Sequence, residues 1–314
     1  MTDPTSVRPA LPPLKGKRIL VTGPTGQVAR PVVDALAAAN TVIGVARFND
    51  AAARTELEAA GVECIPCNLA TGDFSDVPGD VDHVINFAVV KSGRWEVDLK
   101  ANAEAAGLLM AHCASATSFL HCSSTGVYQP AGAHELTETD PLGDNHRAIM
   151  PTYSIAKIAT EAVVRTMARQ LDLPTTIARL NVPYGDNGGW PAFQLEMLLA
   201  DMPIDVHPDR PNLFNPIHEE DIIATIPALL AAASVPATIV NWAGDEVVSL
   251  EEWCTYLGEL VGHPATFNET EGTIGGVTVD LTKMHELIGA STVGWKVGMR
   301  RMVTAAHPEL ELHG

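Results

Sequence analysis

Basic residues are scarce in this chain: 20 Lys and Arg stand against 38 Asp and Glu, a formal charge of -18 over 314 residues. Such a molecule repels phosphate polymers and anionic membrane surfaces, so neither nucleic acid nor a membrane is an expected partner. One small anionic ligand stays open, because a cofactor phosphate needs only one or two basic side chains and some backbone N–H groups. Cysteine is scarce too. Cys64, Cys67, Cys113, Cys122 and Cys254 are odd in number and make no dense framework, and with no secretory signal in view a reducing cytoplasm is expected. Cys64-Ile65-Pro66-Cys67 is a lone CxxC inside a strand pattern with no second ligand pair, so buried thiols and no metal are expected there. His218-Glu219-Glu220-Asp221-Ile222 is not HExxH; its acids are expected to polarise the start of a helix. An uninterrupted membrane-length helix is lacking as well. Residues 222–240 carry no charge, but Pro227, tolerable near a helix start, and Pro236, which stops a helix, divide them into a buried helix and a buried strand. No internal repeat or low-complexity tract is visible, and residues 1–14, with Asp3 and several prolines, read as a flexible tail.

What is present is a globular composition, 46% hydrophobic and 18% charged. Short β-branched runs (RILVTG, TVIGVAR, VECIPCN, DHVINFA, SFLHCSS, TTIARLNV) alternate with helical stretches over residues 27–39, 51–60, 97–115 and 153–171. That rhythm predicts an α/β fold, a doubly wound parallel sheet of Rossmann type, over residues 15–184. After Tyr184 the turn-rich GDNGGWP breaks the alternation. Residues 193–200, 213–217, 219–233, 250–261, 282–288 and 298–306 are the later candidate elements. Residues 185–314 are expected to form mainly a smaller C-terminal substrate lobe, with some segments returning to the first domain. Leaning over the carboxyl ends of the strands, such a lobe closes a pocket.

Thr22-Gly23-Pro24-Thr25-Gly26-Gln27-Val28-Ala29 follows the first strand and opens a helix. Glycines let the backbone approach a pyrophosphate, the helix N-terminus offers free N–H groups, and Ala29 is small enough to stand for a third glycine. Gly23, Thr25, Gly26, Gln27 and Val28 are therefore cofactor-binding candidates. At the end of the second strand, Arg47 suits a 2'-phosphate and so favours NADP, whereas Asp50 turned inward suits the ribose hydroxyls of NAD. The sharpest signal is Tyr153-Ser154-Ile155-Ala156-Lys157 at a helix start, preceded by His121-Cys122-Ser123-Ser124-Thr125-Gly126-Val127-Tyr128 at a strand end. The i,i+4 spacing stacks Lys157 on Tyr153, and an ammonium beside a phenol favours the phenolate. Tyr153 then exchanges a proton with a substrate hydroxyl near neutral pH, and Ser124 hydrogen-bonds the same oxygen.

On these residues the chain resembles the NAD-dependent epimerase/dehydratase family of extended short-chain dehydrogenases, over residues 17–307. The family's TGxxGxx(G/A) matches Gly23, Gly26 and Ala29; its serine-rich strand ending in Val-Tyr matches residues 123–128; its YxxxK matches Tyr153 and Lys157. The resemblance implies Ser124, Tyr153 and Lys157 as the catalytic group, Asn102 as a supporting catalytic residue, and Tyr153 and Lys157 also against the cofactor. It places Phe87, Ala88 and Val89 beside the cofactor, and puts Asn68, with Leu69 next to it, where an Asp usually contacts adenine; the Asn68 amide oxygen can take over that bond. Substrate-binding candidates are Ser124, Val182, Phe214, Asn215 and His218. Val182 stands where the family often has a sugar-contacting Asn, and Phe214 where it has an Arg for a sugar-nucleotide phosphate. Thr125-Gly126 replaces the acid pair of 4,6-dehydratases, so dehydration is not expected. The leading reading is an NAD(P)-dependent oxidoreductase acting on a secondary alcohol or carbonyl. The alternatives are nucleotide-sugar epimerisation by transient oxidation and cofactor sensing without catalysis. Specificity is expected in residues 90–96, 129–150 and 185–214. By family analogy a homodimer forms through the Ala-rich helices that hold Asn102 and Lys157.

Overall fold

The computed structural model describes residues 14–313; apart from Leu14, the expected tail lies outside the described residues. Arg18–Thr22 (β1), Ala29–Ala37 (α1), Thr41–Ala46 (β2), Ala51–Ala59 (α2), Glu63–Pro66 (β3) and His83–Asn86 (β4) alternate as the sequence rhythm predicts. The single helix expected over residues 97–115 is instead three pieces: Trp95–Asp98 (α3), a π-helical stretch Leu99–Glu104, and Ala105–His112 (α4). Ser118–Ser124 (β5), Tyr153–Leu171 (α5) and Thr175–Leu180 (β6) follow. Then come Pro183–Gly185 (β7), Gly188–Gly189 (β8), Trp190–Leu199 (α6), Ile204–Val206 (β9), Leu213–Phe214 (β10), Ile217–His218 (β11) and Glu219–Ala231 (α7). Thr238–Trp242 (β12), Val248–Ser249 (β13), Leu250–Val261 (α8), Phe267–Glu269 (β14), Thr282–Leu287 (α9) and Trp295–Ala306 (α10) complete the described chain.

Seven strands form one parallel sheet in the order β12-β6-β5-β4-β1-β2-β3. Helices cover both faces, which is why Ile19, Leu20 and Val21 are all buried in succession. Each such side chain contributes about 1.5–3 kcal/mol relative to exposure. In α1 the buried residues Ala29, Val32, Val33 and Leu36 fall at i, i+3, i+4 and i+7, one stripe facing the sheet. In α5 a four-residue step of Ala156, Thr160, Val164 and Ala168 does the same. A buried polar pair holds this helix in place. Arg179 on β6 donates from Nε and Nη2 to Glu161 on α5, at 3.0 and 2.7 Å, and Ser123 on β5 donates to the same carboxylate at 2.6 Å. Removing one partner strands a buried charge, a loss of about 3–5 kcal/mol.

The later elements correct the sequence reading in three places. Residues 213–217 are not one strand: β10 pairs with β13, whereas β11 joins β7 and β8 in a different small sheet. Pro227 sits inside α7 rather than near its start. The Cys64 and Cys67 side chains are half-buried rather than buried, their thiols directed to the carbonyls of Arg54 and Asp73. The sequence reading holds for residues 222–240, where α7 is followed by β12 at the sheet edge. No described helix is long and apolar enough to cross a membrane. The main apolar cluster is continuous from Ile19 and Val33 to Trp253 and Met302, so the late elements pack directly on one face of the sheet.

Candidate active site

Beyond the carboxyl ends of β1, β4 and β5 two hollows meet, sharing Gly23, Gly26, Phe87 and Val89. One, about 520 Å³, runs past Thr25, Arg47, Asn68, Leu69 and Ala88. The other, about 440 Å³, is bounded by Gln27, Val28, Ser124, Tyr153, Lys157, Val182 and Phe214. The sequence therefore placed most candidates on one groove. The exceptions are Asn102, Asn215 and His218.

The turn at the groove floor depends on backbone approach. Gly23 has φ +64°, and a β-carbon there would stand 3.0 Å from Ala88 Cα, so only glycine brings the turn this close to the end of β4. The first bond of α1 runs from Arg30 N to Gly26 O at 2.9 Å, leaving the preceding N–H groups without helical acceptors. Thr22 Oγ1 donates to Asn86 Oδ1 at 2.6 Å and accepts from Ala88 N at 3.1 Å, tying β1 to the residues after β4. Asn86 then donates from Nδ2 to His121 Nδ1 at 3.2 Å, which leaves the His121 proton on Nε2. Burial, with the Lys157 charge nearby, pushes His121 well below the usual histidine range.

Two polar side chains beside the groove are already in local use. Asp50 lines the hollow and caps α2, its Oδ1 accepting from Ala52 N and Ala53 N at 2.9 and 3.2 Å. Asn68 accepts from Ala70 N at 3.3 Å. Its amide oxygen, the atom expected to face adenine, thus already has one donor. Arg47 is exposed and forms no ion pair with a described residue.

At the other end, Ser124 closes β5, its Oγ accepting from Gly126 N at 3.0 Å. Tyr153 opens α5, and Lys157 lies one turn on, its Nζ 6.0 Å from the Tyr153 ring centroid. The Lys157 ammonium donates to Cys122 O at 2.7 Å. Burial pushes the Tyr153 phenol up, and Ser124 and Lys91 oppose it from nearby. Beside Lys157, the ammonium expected from the sequence, a second one, Lys91, lies 5.9 Å from the ring centroid. Burial also lowers Lys157 itself.

The three candidates off the groove have structural partners. Asn102, in the π-helical stretch, donates to Val90 O and Asp98 O and accepts from Val90 N at 2.8 Å, so it positions the loop after β4. Asn215 donates to Gly244 O at 3.2 Å and accepts from Val279 N at 3.1 Å. His218 caps α7 through Nδ1, accepting from Glu220 N at 3.2 Å, and its ring meets Tyr184 edge-on. Asn215 and His218 are inside the packing, because the chain crosses from β10 to β11 there.

Lys91, His146, Ile149, Met150, Trp190, Ile274 and Val277 line the second hollow and were not singled out by sequence. The first five fall in segments marked only as specificity regions. His146 packs on Tyr153, ring centroids 5.3 Å apart, over the space left by Gly126, where a β-carbon would stand 2.5 Å from His146 Cε1. Burial, then the Lys91 charge, takes His146 down to about 4, so the ring is neutral at physiological pH. Among the described residues no group of three His, Cys, Asp or Glu is arranged to hold a metal.

The sequence profile of the NAD dependent epimerase/dehydratase family matches residues 19–237. No curated protein matches by sequence. Among solved structures, the UDP-glucuronic acid 4-epimerase of Bacillus cereus in complex with UDP-glucuronic acid and NAD is similar, with 20% identity and a TM-score of 0.79 over 93% of this chain and 99% of that one. The UDP-glucose 4-epimerase of Thermotoga maritima with UDP-glucose gives 21% and 0.77 over 93% and 99%. The dTDP-glucose 4,6-dehydratase of Streptomyces venezuelae with NAD and TYD bound gives 20% and 0.81 over 93% and 97%. At these identities the likeness is one of fold.

Proposed function

The chain belongs to the NAD dependent epimerase/dehydratase family and is an NAD(P)-dependent enzyme of the extended short-chain dehydrogenase type, and on that premise we propose that it transfers hydride between the cofactor and a secondary alcohol or its carbonyl. The observation that carries this reading is one continuous groove with the glycine turn on its floor and Ser124, Tyr153 and Lys157 at one end. The residues fit a dinucleotide: Gly23 and Gly26 keep side chains out of the turn, α1 offers N–H groups to phosphates, and Arg47 and Asn68 border the far end. When bound, the nicotinamide supplies a hydride acceptor or donor. Tyr153 takes the hydroxyl proton of an alcohol, or returns it to a carbonyl oxygen. Ser124 orients that oxygen. Lys157, held by Cys122 O, places a cation 6.0 Å from the Tyr153 ring centroid, in the same hollow.

The experiment is to mix cofactor and a carbonyl panel with the enzyme and follow net cofactor oxidation. Net consumption supports the reading. Interconversion of UDP-sugars without net consumption supports epimerisation, the activity named for the similar structures. Cofactor binding with neither reaction supports a sensor. The reading includes NADP in preference to NAD, favoured by a free Arg47 and an Asp50 engaged in capping. It also includes a homodimer through the Ala-rich segment that holds Asn102 and continues into α4, where Leu108 is exposed, and through α5; a monomer by light scattering at micromolar concentration removes that part. A reducing cytoplasm is in keeping with five free thiols.

A further inference from the structure

We infer that the cavity at the Tyr153 end takes an uncharged secondary alcohol or ketone bearing an aryl or branched alkyl group, rather than a nucleotide sugar. This rests on the hydride-transfer reading and adds the substrate class to it.

The first ground is the wall. Trp190 and Phe214 meet edge to face, ring centroids 5.2 Å apart at 89°. Trp253 packs on both at 5.7 and 5.6 Å, and its indole N–H is held by Gln194 Oε1 at 2.6 Å. This supported aromatic corner shares the cavity with Ile149, Met150 and Ile274. A flat or branched apolar group gains burial against it, and an aromatic one gains ring contacts besides.

The second ground is the fate of the polar groups. Asn181 lines the cavity, but its Nδ2 donates to Val277 O at 2.9 Å and its Oδ1 accepts from Val182 N at 2.9 Å. Arg179, two residues earlier, is 2% exposed and locked to Glu161. Among the described residues the charged side chains lining this cavity are Lys91 and Lys157, and the Lys157 ammonium is engaged by Cys122 O. A diphosphate brings two negative charges to a space whose two ammoniums lie beside the Tyr153 ring and which has no guanidinium among its lining side chains, so no bidentate charge-assisted contact compensates its desolvation. An uncharged alcohol asks only for Ser124 and Tyr153. Its carbinol hydrogen leaves as hydride to the oxidised nicotinamide cofactor, its hydroxyl proton passes to the Tyr153 phenolate, which becomes the phenol, and a ketone remains.

The test loads the full chain with oxidised cofactor and titrates 1-phenylethanol, propan-2-ol and UDP-glucose. Nicotinamide absorbance reports turnover, and tryptophan fluorescence reports binding beside Trp190. We expect 1-phenylethanol to saturate at least about ten-fold below propan-2-ol, Phe214→Ala to narrow that ratio, and UDP-glucose neither to react nor to compete. Competition by UDP-glucose, its preferred turnover, or oxidation of propan-2-ol without binding of 1-phenylethanol overturns the substrate class and leaves hydride transfer standing. Cofactor binding with no hydride exchange on any of the three overturns the underlying reading, and the substrate class with it.

Discussion

The two ends of the groove are built by different means. At the cofactor end the glycine turn and the residues just past β2, β3 and β4 form the surface, and polar side chains there serve local caps, as Asp50 and Asn68 do. At the Tyr153 end the surface is side chains brought from many separate stretches, from Lys91 on the loop after β4 to Ile274 before α9. A dinucleotide is the same in every enzyme that uses it, so a glycine turn and a helix start suffice. A particular substrate needs a particular wall, and function lies in that wall rather than in the fold.

Tyr153→Phe tests this division most severely. The variant keeps the ring against His146 and removes only the hydroxyl, so turnover should fall about 10²- to 10⁴-fold while cofactor affinity stays within a few-fold. Parallel loss of both, measured by steady-state rates and cofactor titration, would mean that the two ends are not separable. Asp98→Asn should act next most strongly. The Asp98 carboxylate accepts from Ser92 N, Ser92 Oγ, Gly93 N and the Thr152 hydroxyl, joining the Lys91 loop to the residue before Tyr153. Turning one acceptor into a donor should lower stability by about 2–3 kcal/mol. If Lys91 supports the phenol, the same variant and Lys91→Met should both move the rising, acid-side limb of alcohol oxidation to higher pH, because oxidation needs Tyr153 deprotonated. An unmoved limb with normal folding would remove Lys91 from that role.

The same division explains what could be read in the sequence. The strand and helix alternation from β1 to β6 was legible because buried parallel strands are nearly continuous apolar runs and their helices keep a 3.6-residue period. Tyr153, Lys157 and the glycine turn were legible because their spacing is local. His218 and Asn215 were misplaced because sequence distance from Phe214 does not reveal that β10 and β11 belong to different sheets. His146 had no signal: it comes to Tyr153 only through the folding of residues 129–150, and its nearest clue is the missing side chain at Gly126. The split of residues 97–115 was equally silent, since a π-helical stretch keeps helical composition.

His146 gives a pH test of the side-chain end. Its folded value of about 4 lies below the ordinary 6.5. Between these limits the unfolded chain binds a proton that the folded chain refuses, so stability is full above about 6.5 and falls as pH drops towards 4. The loss from this residue is at most about 3 kcal/mol. His83, His121 and His218 are also lowered by burial and act in the same direction. Thermal melts from pH 7 to pH 4.5 should therefore show a decline that His146→Gln makes shallower. Equal slopes for the two proteins would mean that His146 is solvated in solution and does not seal the wall beside Tyr153.

Arg47 should have the smallest effect, because it is exposed and solvent screens its charge. If its guanidinium meets a 2'-phosphate, one charge-assisted contact contributes roughly 1.5–3 kcal/mol, and the low end of that range suits an exposed side chain. The corresponding preference for NADP is about ten-fold at low salt, at 1.4 kcal/mol per decade, and salt should erode it. Arg47→Ala should remove most of the preference and leave NAD affinity nearly unchanged. Asp50→Ala should not lower NAD affinity selectively, because the Asp50 carboxylate is engaged with Ala52 N and Ala53 N; its loss should instead cost α2 about 1 kcal/mol as a missing cap. Titration of both cofactors against the three proteins separates the cases. Equal affinities that ignore Arg47→Ala would remove the NADP assignment, and selective damage to NAD binding by Asp50→Ala would show that the cap yields to the ribose.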